Sequence, residues 1–201
     1  MGGKYKCSYT RANLELVLDL FIGGHPQQAV LQVGGKQRLP IAFRYMKNVG
    51  HFYIQPRRDL MQEKAGFGHC CTKSEIYIAG GQDARSSETN RVESYDIKRD
   101  TWKNMPPMRK ARLQPAVCMF RQRYLYVFGG ANHSELKEGR PRVEAKFVST
   151  IERLDVREGI EWEVISVKTE TAPNEKIAGQ SMSALQISAT ELLIFGSYFK
   201  C

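Results

Sequence analysis

The chain is poor in the features that announce chemistry. The apolar run Leu14–Ile22 is interrupted by Glu15 and Asp19, so it makes neither a membrane span nor a signal-peptide core. Gly2 is not followed by Ser or Thr at position 6, where Lys6 stands, which speaks against myristoylation. Helical periodicity of any length is absent. There are five cysteines (Cys7, Cys70, Cys71, Cys118 and Cys201), an odd number with one adjacent pair and no C-x-x-C. That pattern argues against a disulfide framework and for reduced thiols in the cytoplasm or the nucleus. The sequon at Asn132 carries little weight without a secretion signal.

Histidine is scarce too: His25, His51, His69 and His133. The one tight cluster is His69-Cys70-Cys71. Alternate residues of a strand point to opposite faces, so His69 and Cys71 can share a side while Cys70 cannot. Zinc would need ligands from elsewhere, such as Cys118, and small buried thiols are the plainer reading. No metal and no cofactor are expected. Net charge is +9, from 30 Lys and Arg against 21 Asp and Glu. The basic residues are scattered, with no zinc-finger spacing, homeodomain pattern or basic helix, which weighs against nucleic acid as a partner.

What the chain does have is repetition. Tyr124-Leu-Tyr-Val-Phe-Gly-Gly130 is closely copied by Glu75-Ile-Tyr-Ile-Ala-Gly-Gly81. Ala29-Val-Leu-Gln-Val-Gly-Gly35 and Glu191-Leu-Leu-Ile-Phe-Gly196 are weaker copies. Gly34, Gly80 and Gly129 are spaced by 46 and 49 residues, and Gly196 follows 67 later. Each pair is followed by a second landmark (Tyr45, Tyr95-Asp96, Leu154-Asp155) and then by an aromatic (Phe52, Trp102, Trp162). The third unit is longer by ten residues before Leu154, one before Trp162 and seven before Gly196. Insertions therefore fall between the landmarks and leave the elements intact.

Local pattern is strand throughout: short β-rich runs bounded by turn residues. In the second unit the runs are Phe67–Thr72, Glu75–Ala79, Arg91–Asp96 and Thr101–Met105. In the third, Gln114–Phe120, Tyr124–Phe128, Thr150–Asp155 and Ile160–Val164 are expected, with Ala131–Phe147 as an exposed inserted loop. Ser181–Ile187 and Glu191–Phe195 begin a fourth unit, with Thr169–Asn174 as a polar loop. Leu14–Phe21 is expected to pair with the first glycine-pair strand, with a short amphipathic helix over residues 12–22 as the competitor. Four antiparallel strands at a period near 50 describe a propeller blade, which must stack on neighbours to bury its faces. The division is a polar lead-in at 1–13, a degenerate first blade at 14–58, a second blade at 59–108, a third at 109–168 and the first strands of a fourth at 169–201. The fold class is all-β: an incomplete or open propeller, with its remaining blades in a longer parent or a second chain.

Glycine pairs suit places where the chain takes positive φ and backbones approach closely. They are not phosphate loops, since neither a Lys-Ser/Thr nor a helix follows. Trp102 and Trp162 read as inter-blade packing, and Tyr45 and Tyr95 as packing residues with hydroxyls anchored to backbone. No acidic pair recurs outside the loops, so catalytic carboxylates are not indicated. Recognition falls to the loops: Asp83–Thr89, and the insertion with Lys137, Arg140, Arg142 and Lys146, whose charge suits an acidic protein segment.

Ile78-Ala-Gly-Gly81, Val92-Glu-Ser-Tyr-Asp96, Thr101-Trp102 and Met105-Pro-Pro-Met108 together resemble a Kelch repeat. Val127-Phe-Gly-Gly130, Ile151-Glu-Arg-Leu-Asp155 and Trp162 repeat the pattern, with Leu154 in place of the tyrosine. The family's glycine pair falls on Gly80 and Gly81, then on Gly129 and Gly130. Gly34 and Gly35 belong to a degenerate copy with Phe52 for tryptophan, and Gly196 is followed by Ser197. The resemblance implies a non-catalytic propeller scaffold that binds proteins, in some members as the substrate-recognition part of a ubiquitin ligase. No stretch resembles the BTB domain of those adaptors, and the ligand set of the copper oxidases in the family is missing.

Overall fold

The computed structural model describes residues 14–22, 25–33, 41–46, 51–56, 58, 60–62, 64–83, 85, 87–132, 146–166, 177–179, 182–196 and 198–200; over 14–56 and at 146, 177–178 and 198–200 it describes the backbone. The chain divides into two compact units, Met1–Ala65 and Gly66–Cys201. No helix of the described residues is long and apolar enough to cross a membrane.

The first unit is a four-stranded antiparallel meander of β1 (Leu14–Ile22), β2 (His25–Val33), β3 (Ile41–Met46) and β4 (His51–Pro56), in sequence order. Leu14–Ile22 is thus strand, not amphipathic helix, paired with β2 from Leu14 opposite Val33 to Ile22 opposite His25. Only Gly23-Gly24 separates the two strands, a composition that suits a tight hairpin turn. Tyr45 stands opposite Phe52. Gly34 and Gly35 lie outside the described residues.

The second unit repeats the meander. The chain's second sheet holds β5 (Gly68–Cys71), β6 (Glu75–Ala79), β7 (Val92–Asp96) and β8 (Thr101–Met105) in that order. Tyr95 stands opposite Trp102, the pairing that Tyr45 and Phe52 make in the first unit. Pro106 and Pro107 follow β8 directly and cannot donate to a ladder, so the strand stops there. The third sheet contains β9 (Ala116–Phe120) and β10 (Tyr124–Phe128). The short β11 (Ala131–Asn132) and β12 (Lys146–Phe147) pair with each other, and β13 (Ile151–Asp155) and β14 (Glu163–Ile165) complete the sheet as β14-β13-β10-β9.

Two expectations shift here. The insertion is not loop from its first residue, because Ala131 pairs with Phe147 and Asn132 with Lys146, which closes its base as a ladder. The fourth strand begins at Glu163, not Ile160. The turn after Asp155 closes through the Gly159 amide donating to the Asp155 carbonyl at 2.7 Å, and it leaves Ile160 in solvent.

Beyond it come β15 (Ile177–Gly179), β16 (Ser183–Gln186), β17 (Leu192–Phe195) and β18 (Tyr198–Lys200). β16 pairs with β17, as expected of a fourth blade. β18 pairs with β15, so Phe199 and Lys200 belong to a ladder the sequence did not announce. The expected loop at 169–174 lies outside the described residues.

The period-2 alternation of strands distributes the core. On β9, Val117 and Met119 face the second sheet, in a cluster with Tyr77, Ala79, Val92, Met108, Leu125, Val127, Leu154 and Trp162. Ala116 and Cys118 face the other way, joining Phe128, Ile151 and Met182, against which Ala184, Leu192 and Ile194 of the fourth sheet pack. The third sheet is therefore buried on both faces, one against the second sheet and one against the fourth. A four-stranded sheet with two apolar faces is stable only in such a stack.

Candidate functional site

The glycine pairs are the joints of the stack. The Gly81 amide donates to the Arg112 carbonyl at 2.7 Å, and the Gly130 amide to the Gly179 carbonyl at 2.7 Å. Arg112 and Gly179 each lie four residues before the first strand of the following sheet. A Cβ on Gly80 would stand 2.3 Å from the Arg112 oxygen, and one on Gly129 2.7 Å from the Gly179 oxygen. Both glycines have positive φ, 69° and 58°. Side chains are excluded on both counts. Gly196 has positive φ as well.

At the first of these joints sits a buried charge pair. Arg112 and Glu152 have fully buried side chains, and Arg112 Nη2 donates to Glu152 Oε1 at 2.8 Å. Arg112 also donates to the Gly129 carbonyl at 2.7 Å and to Thr150 Oγ1 at 2.9 Å. The other Glu152 oxygen accepts the Arg109 amide at 2.6 Å, and Oε1 accepts the Lys110 amide at 3.3 Å. Burial pulls the Arg112 guanidinium below its ordinary range, and the glutamate works against that shift. One side-chain pair thus ties the linker after the second sheet, the lead-in of the third and the third strand of that sheet.

In the second sheet Glu93 takes the position of Glu152 and is 1% exposed. Sequence reasoning missed this constellation. The signal was present: Glu93 and Glu152 stand second in Val-Glu-Ser-Tyr-Asp and Ile-Glu-Arg-Leu-Asp, and a Lys or Arg precedes each first strand by four residues. An acid at the centre of a strand that also carries core residues has to be buried with a partner.

The aromatic landmarks behave as packing residues. The Trp162 indole N–H donates to the Pro106 carbonyl at 2.8 Å, across from the third sheet to the linker after the second. Tyr95 and Trp102 rings lie with centroids 4.9 Å apart. The Tyr95 hydroxyl donates to the Asp100 carboxylate at 2.5 Å, because the β7–β8 turn places that acid five residues on, within reach of the ring. Tyr126 of β10 stacks on Phe128 and meets Phe120 edge-on.

Burial keeps the thiols protonated and the His69 imidazole neutral. Burial pushes the Cys118 thiol up to about 11 and raises Cys70 well above its usual value, with Cys118 and Cys71 nearby adding to the second shift. Cys71 is raised by burial as well. Burial lowers His69 to about 4. Thiols that stay protonated beside an imidazole that stays neutral make poor nucleophiles and poor ligands. Among the described residues no group of three His, Cys, Asp or Glu is placed to hold a metal ion. The Asn132 side chain is buried and donates to the Ala111 carbonyl at 3.2 Å, so the sequon is closed to glycosylation in the folded chain.

Surface chemistry lies at the two ends of the sheets. At one end the Asp83–Thr89 loop is organised by Asp83, whose carboxylate accepts the Arg85 amide at 2.9 Å and the Ser87 amide at 3.1 Å, while Arg85 and Ser87 point to solvent. Of the basic insertion, Lys137, Arg140 and Arg142 lie outside the described residues, and Lys146 is described as the backbone of β12. At the other end the β9–β10 turn presents Arg121 and Arg123. Arg121 donates to Gln186 Oε1 at 2.8 Å and to the Ala189 carbonyl at 2.7 Å, which ties this turn to the next one. Arg123 pairs with Asp155 and, at 3.0 Å, with Glu158; the guanidinium holds the Asp155 carboxyl below its usual range.

The geometry matches what comparison with known proteins finds. The Kelch motif matches residues 64–109, the segment from the buried Lys64 to Arg109. An F-box/kelch-repeat protein of Arabidopsis thaliana is 36% identical over 78 residues, 38% of this chain and 18% of its own length. A second F-box/kelch-repeat protein of that plant is 40% identical over 62 residues, 31% of this chain and 14% of its own. The Kelch repeat and BTB domain-containing protein 2 of Ectromelia virus is 31% identical over 86 residues, 43% of this chain and 15% of its own. The matched parts span less than a fifth of these relatives. Motif, sheet register and glycine joints agree: the chain carries a Kelch motif over residues 64–109 and is built of four-stranded antiparallel sheets of the kind that an open Kelch-type propeller stacks.

Proposed function

We propose that this chain is a non-catalytic protein-interaction scaffold that serves as the substrate-recognition part of a ubiquitin-ligase assembly. Kelch homology supports the scaffold. The finer reading rests on one observation: relatives that share its Kelch repeats carry, in their names, F-box or BTB domains. The frame suits the task, because stacked sheets tied by glycine joints and a buried charge pair hold loops in fixed positions. Affinity capture with the longest natural form of the chain, followed by mass spectrometry, tests it. The expected catch is a ubiquitin-ligase core subunit together with a protein that accumulates when the chain is depleted. Capture of neither, under conditions where other proteins come down reproducibly, counts against the ligase and leaves the scaffold.

Within that reading, the insertion that carries Lys137, Arg140, Arg142 and Lys146 docks an acidic segment of the partner, in the cytoplasm or the nucleus. Replacing the four residues with Ser should weaken capture of that partner and make the remainder less sensitive to salt. Unchanged capture would sink the loop assignment.

A further inference from the structure

At the end of the sheets away from the glycine joints, the same turn is built twice. The Asp96 carboxylate accepts the Lys98 amide at 2.9 Å and the Arg99 amide at 2.8 Å. The Asp100 amide then donates to the Asp96 carbonyl at 2.9 Å. In the third sheet the Asp155 carboxylate accepts the Arg157 amide at 3.0 Å, and the Gly159 amide closes on the Asp155 carbonyl. The closing residue takes positive φ in both, 56° at Asp100 and 54° at Gly159. Lys98 and Arg157 therefore hold one shared position, and both are exposed. The neighbouring hairpins repeat a cation as well, Lys73 between β5 and β6 and Arg121 between β9 and β10, again exposed.

These tips are fixed in place. Thr72 Oγ1 accepts the Ser74 amide at 3.3 Å and the Glu75 amide at 3.0 Å. The Ile97 amide donates to the Ser74 carbonyl at 3.0 Å, which joins the two turns of the second sheet. In the third sheet the Val156 amide makes the same link to the Arg123 carbonyl at 2.9 Å. The acids of this end are held within the frame. Glu75 accepts the Tyr77 hydroxyl, Asp100 accepts the Tyr95 hydroxyl, and Asp96 and Asp155 cap their turns. Glu158 and Glu191 are exposed but engaged, by Arg123 and by the Ser188 hydroxyl. Among the described residues no carboxylate pairs with Lys73, Lys98 or Arg157. The end thus turns mainly positive charge to solvent, a field that draws anionic partners.

We propose that this end of the second and third sheets, with Lys73, Lys98, Arg99, Arg121 and Arg157, docks an extended acidic segment of a protein partner. A single exposed ion pair contributes little, so the surface selects a run of carboxylates that meets several tips at once. Nucleic acid suits it less, because gripping a single strand takes open aromatic faces beside the charge. The rings that flank the β9–β10 turn already carry guanidiniums. Arg121 stands 5.2 Å from the Phe120 centroid, and Arg123 and Arg153 stand 5.2 and 4.9 Å from that of Tyr124. The Asp83–Thr89 loop and the base of the insertion lie at the opposite end of the sheets. The surface therefore stands whether or not those loops bind.

The test uses the full chain, fluorescent poly-glutamate as the probe and oligothymidylate of equal charge as its rival. Lys73→Gln, Lys98→Gln and Arg157→Gln together should weaken poly-glutamate binding by about tenfold or more at low salt. Thermal unfolding should not move, because all three side chains are exposed and unpaired. The swap Lys98→Arg with Arg157→Lys keeps the charge and should keep the binding. Serine at Lys137, Arg140, Arg142 and Lys146 should change it by less than about twofold, since distant sites act independently. Poly-glutamate that fails to bind, or that binds the triple variant as it binds the natural chain, overturns the proposal. So does a loss confined to the insertion variant, or oligothymidylate bound as tightly as poly-glutamate, which would mark a nucleic-acid surface.

Discussion

The two joints within the second unit are made by the same backbone device and sealed very differently. At the joint between the second and third sheets, the Gly81–Arg112 bond is surrounded by a core in which Leu125, Val127, Leu154 and Trp162 are essentially inaccessible, and by the buried Arg112–Glu152 pair. At the joint between the third and fourth sheets, the Gly130–Gly179 bond has the same length. There Ala184, Leu192 and Ile194 are half-buried, and among the described residues no buried charge pair accompanies them. The glycine bond sets where a sheet sits. The outer strands and the charge pair decide how tightly it is held.

The largest effect should come from splitting the charge pair. Glu152→Leu leaves Arg112 buried without its carboxylate and the Arg109 and Lys110 amides without an acceptor. The expected loss is about 3–5 kcal/mol in urea unfolding. Arg112→Met combined with Glu152→Leu should recover part of that loss, because no charge is then stranded, and the unrecovered part reports the backbone amides. A double variant as unstable as the single one would mean that the pair does not act as a unit.

Next in size is cavity formation on either side of the third sheet. Leu125→Ala, in the sealed joint, is expected to cost about 2–5 kcal/mol, the range for fully buried leucines. Ile194→Ala, at the equivalent of Val127 in the open joint, removes a side chain still partly in water and should cost about 1 kcal/mol. Equal losses would show that the open joint is as well packed as the sealed one.

A pH titration separates the second sheet from the fourth without mutating either core. His69 on β5 titrates near 4 when folded and near 6.5 when exposed. Its folded value is depressed, so the unfolded chain takes up the proton first, and stability falls as pH drops from about 6.5 through about 4. Thermal unfolding should therefore move to lower temperature over that window and level off below it. His69→Gln should flatten the slope. The β16–β17 pair carries no histidine, so exchange rates there, corrected for intrinsic pH dependence, should be insensitive to the same titration.

How far this contrast was legible beforehand differs by residue. Glu75–Ala79, Thr101–Met105 and Tyr124–Phe128 could be bounded from sequence because alternation, turn residues and prolines coincide at their ends. The glycine joints were legible as positions needing positive φ, though not as donors to Arg112 and Gly179, since those partners lie 31 and 49 residues further on. The Arg112–Glu152 pair escaped because an arginine in a lead-in and a glutamate in a strand read as surface residues until the strand is known to be buried on both faces. The shift of β14 to Glu163 depends on how the turn after Asp155 closes, which local propensity does not determine.

The smallest effect sharpens the comparison most. Phe128 and Phe195 occupy the same register position in the third and fourth sheets, opposite Ala116 and Ser183. Phe128 is buried by the fourth sheet, whereas Phe195 is half in solvent. Phe128→Ser removes a buried ring and leaves a hydroxyl in its cavity, with an expected cost of about 3 kcal/mol or more. Phe195→Ser should change stability by no more than about 0.5 kcal/mol. It should also lower concentration-dependent association, measured by light scattering, because it removes an exposed ring. The two substitutions are chemically identical and differ in whether another sheet covers the ring. A cost of several kcal/mol at Phe195 would mean that something already covers the fourth sheet in solution, and the face would then be an interface in use, not an open one.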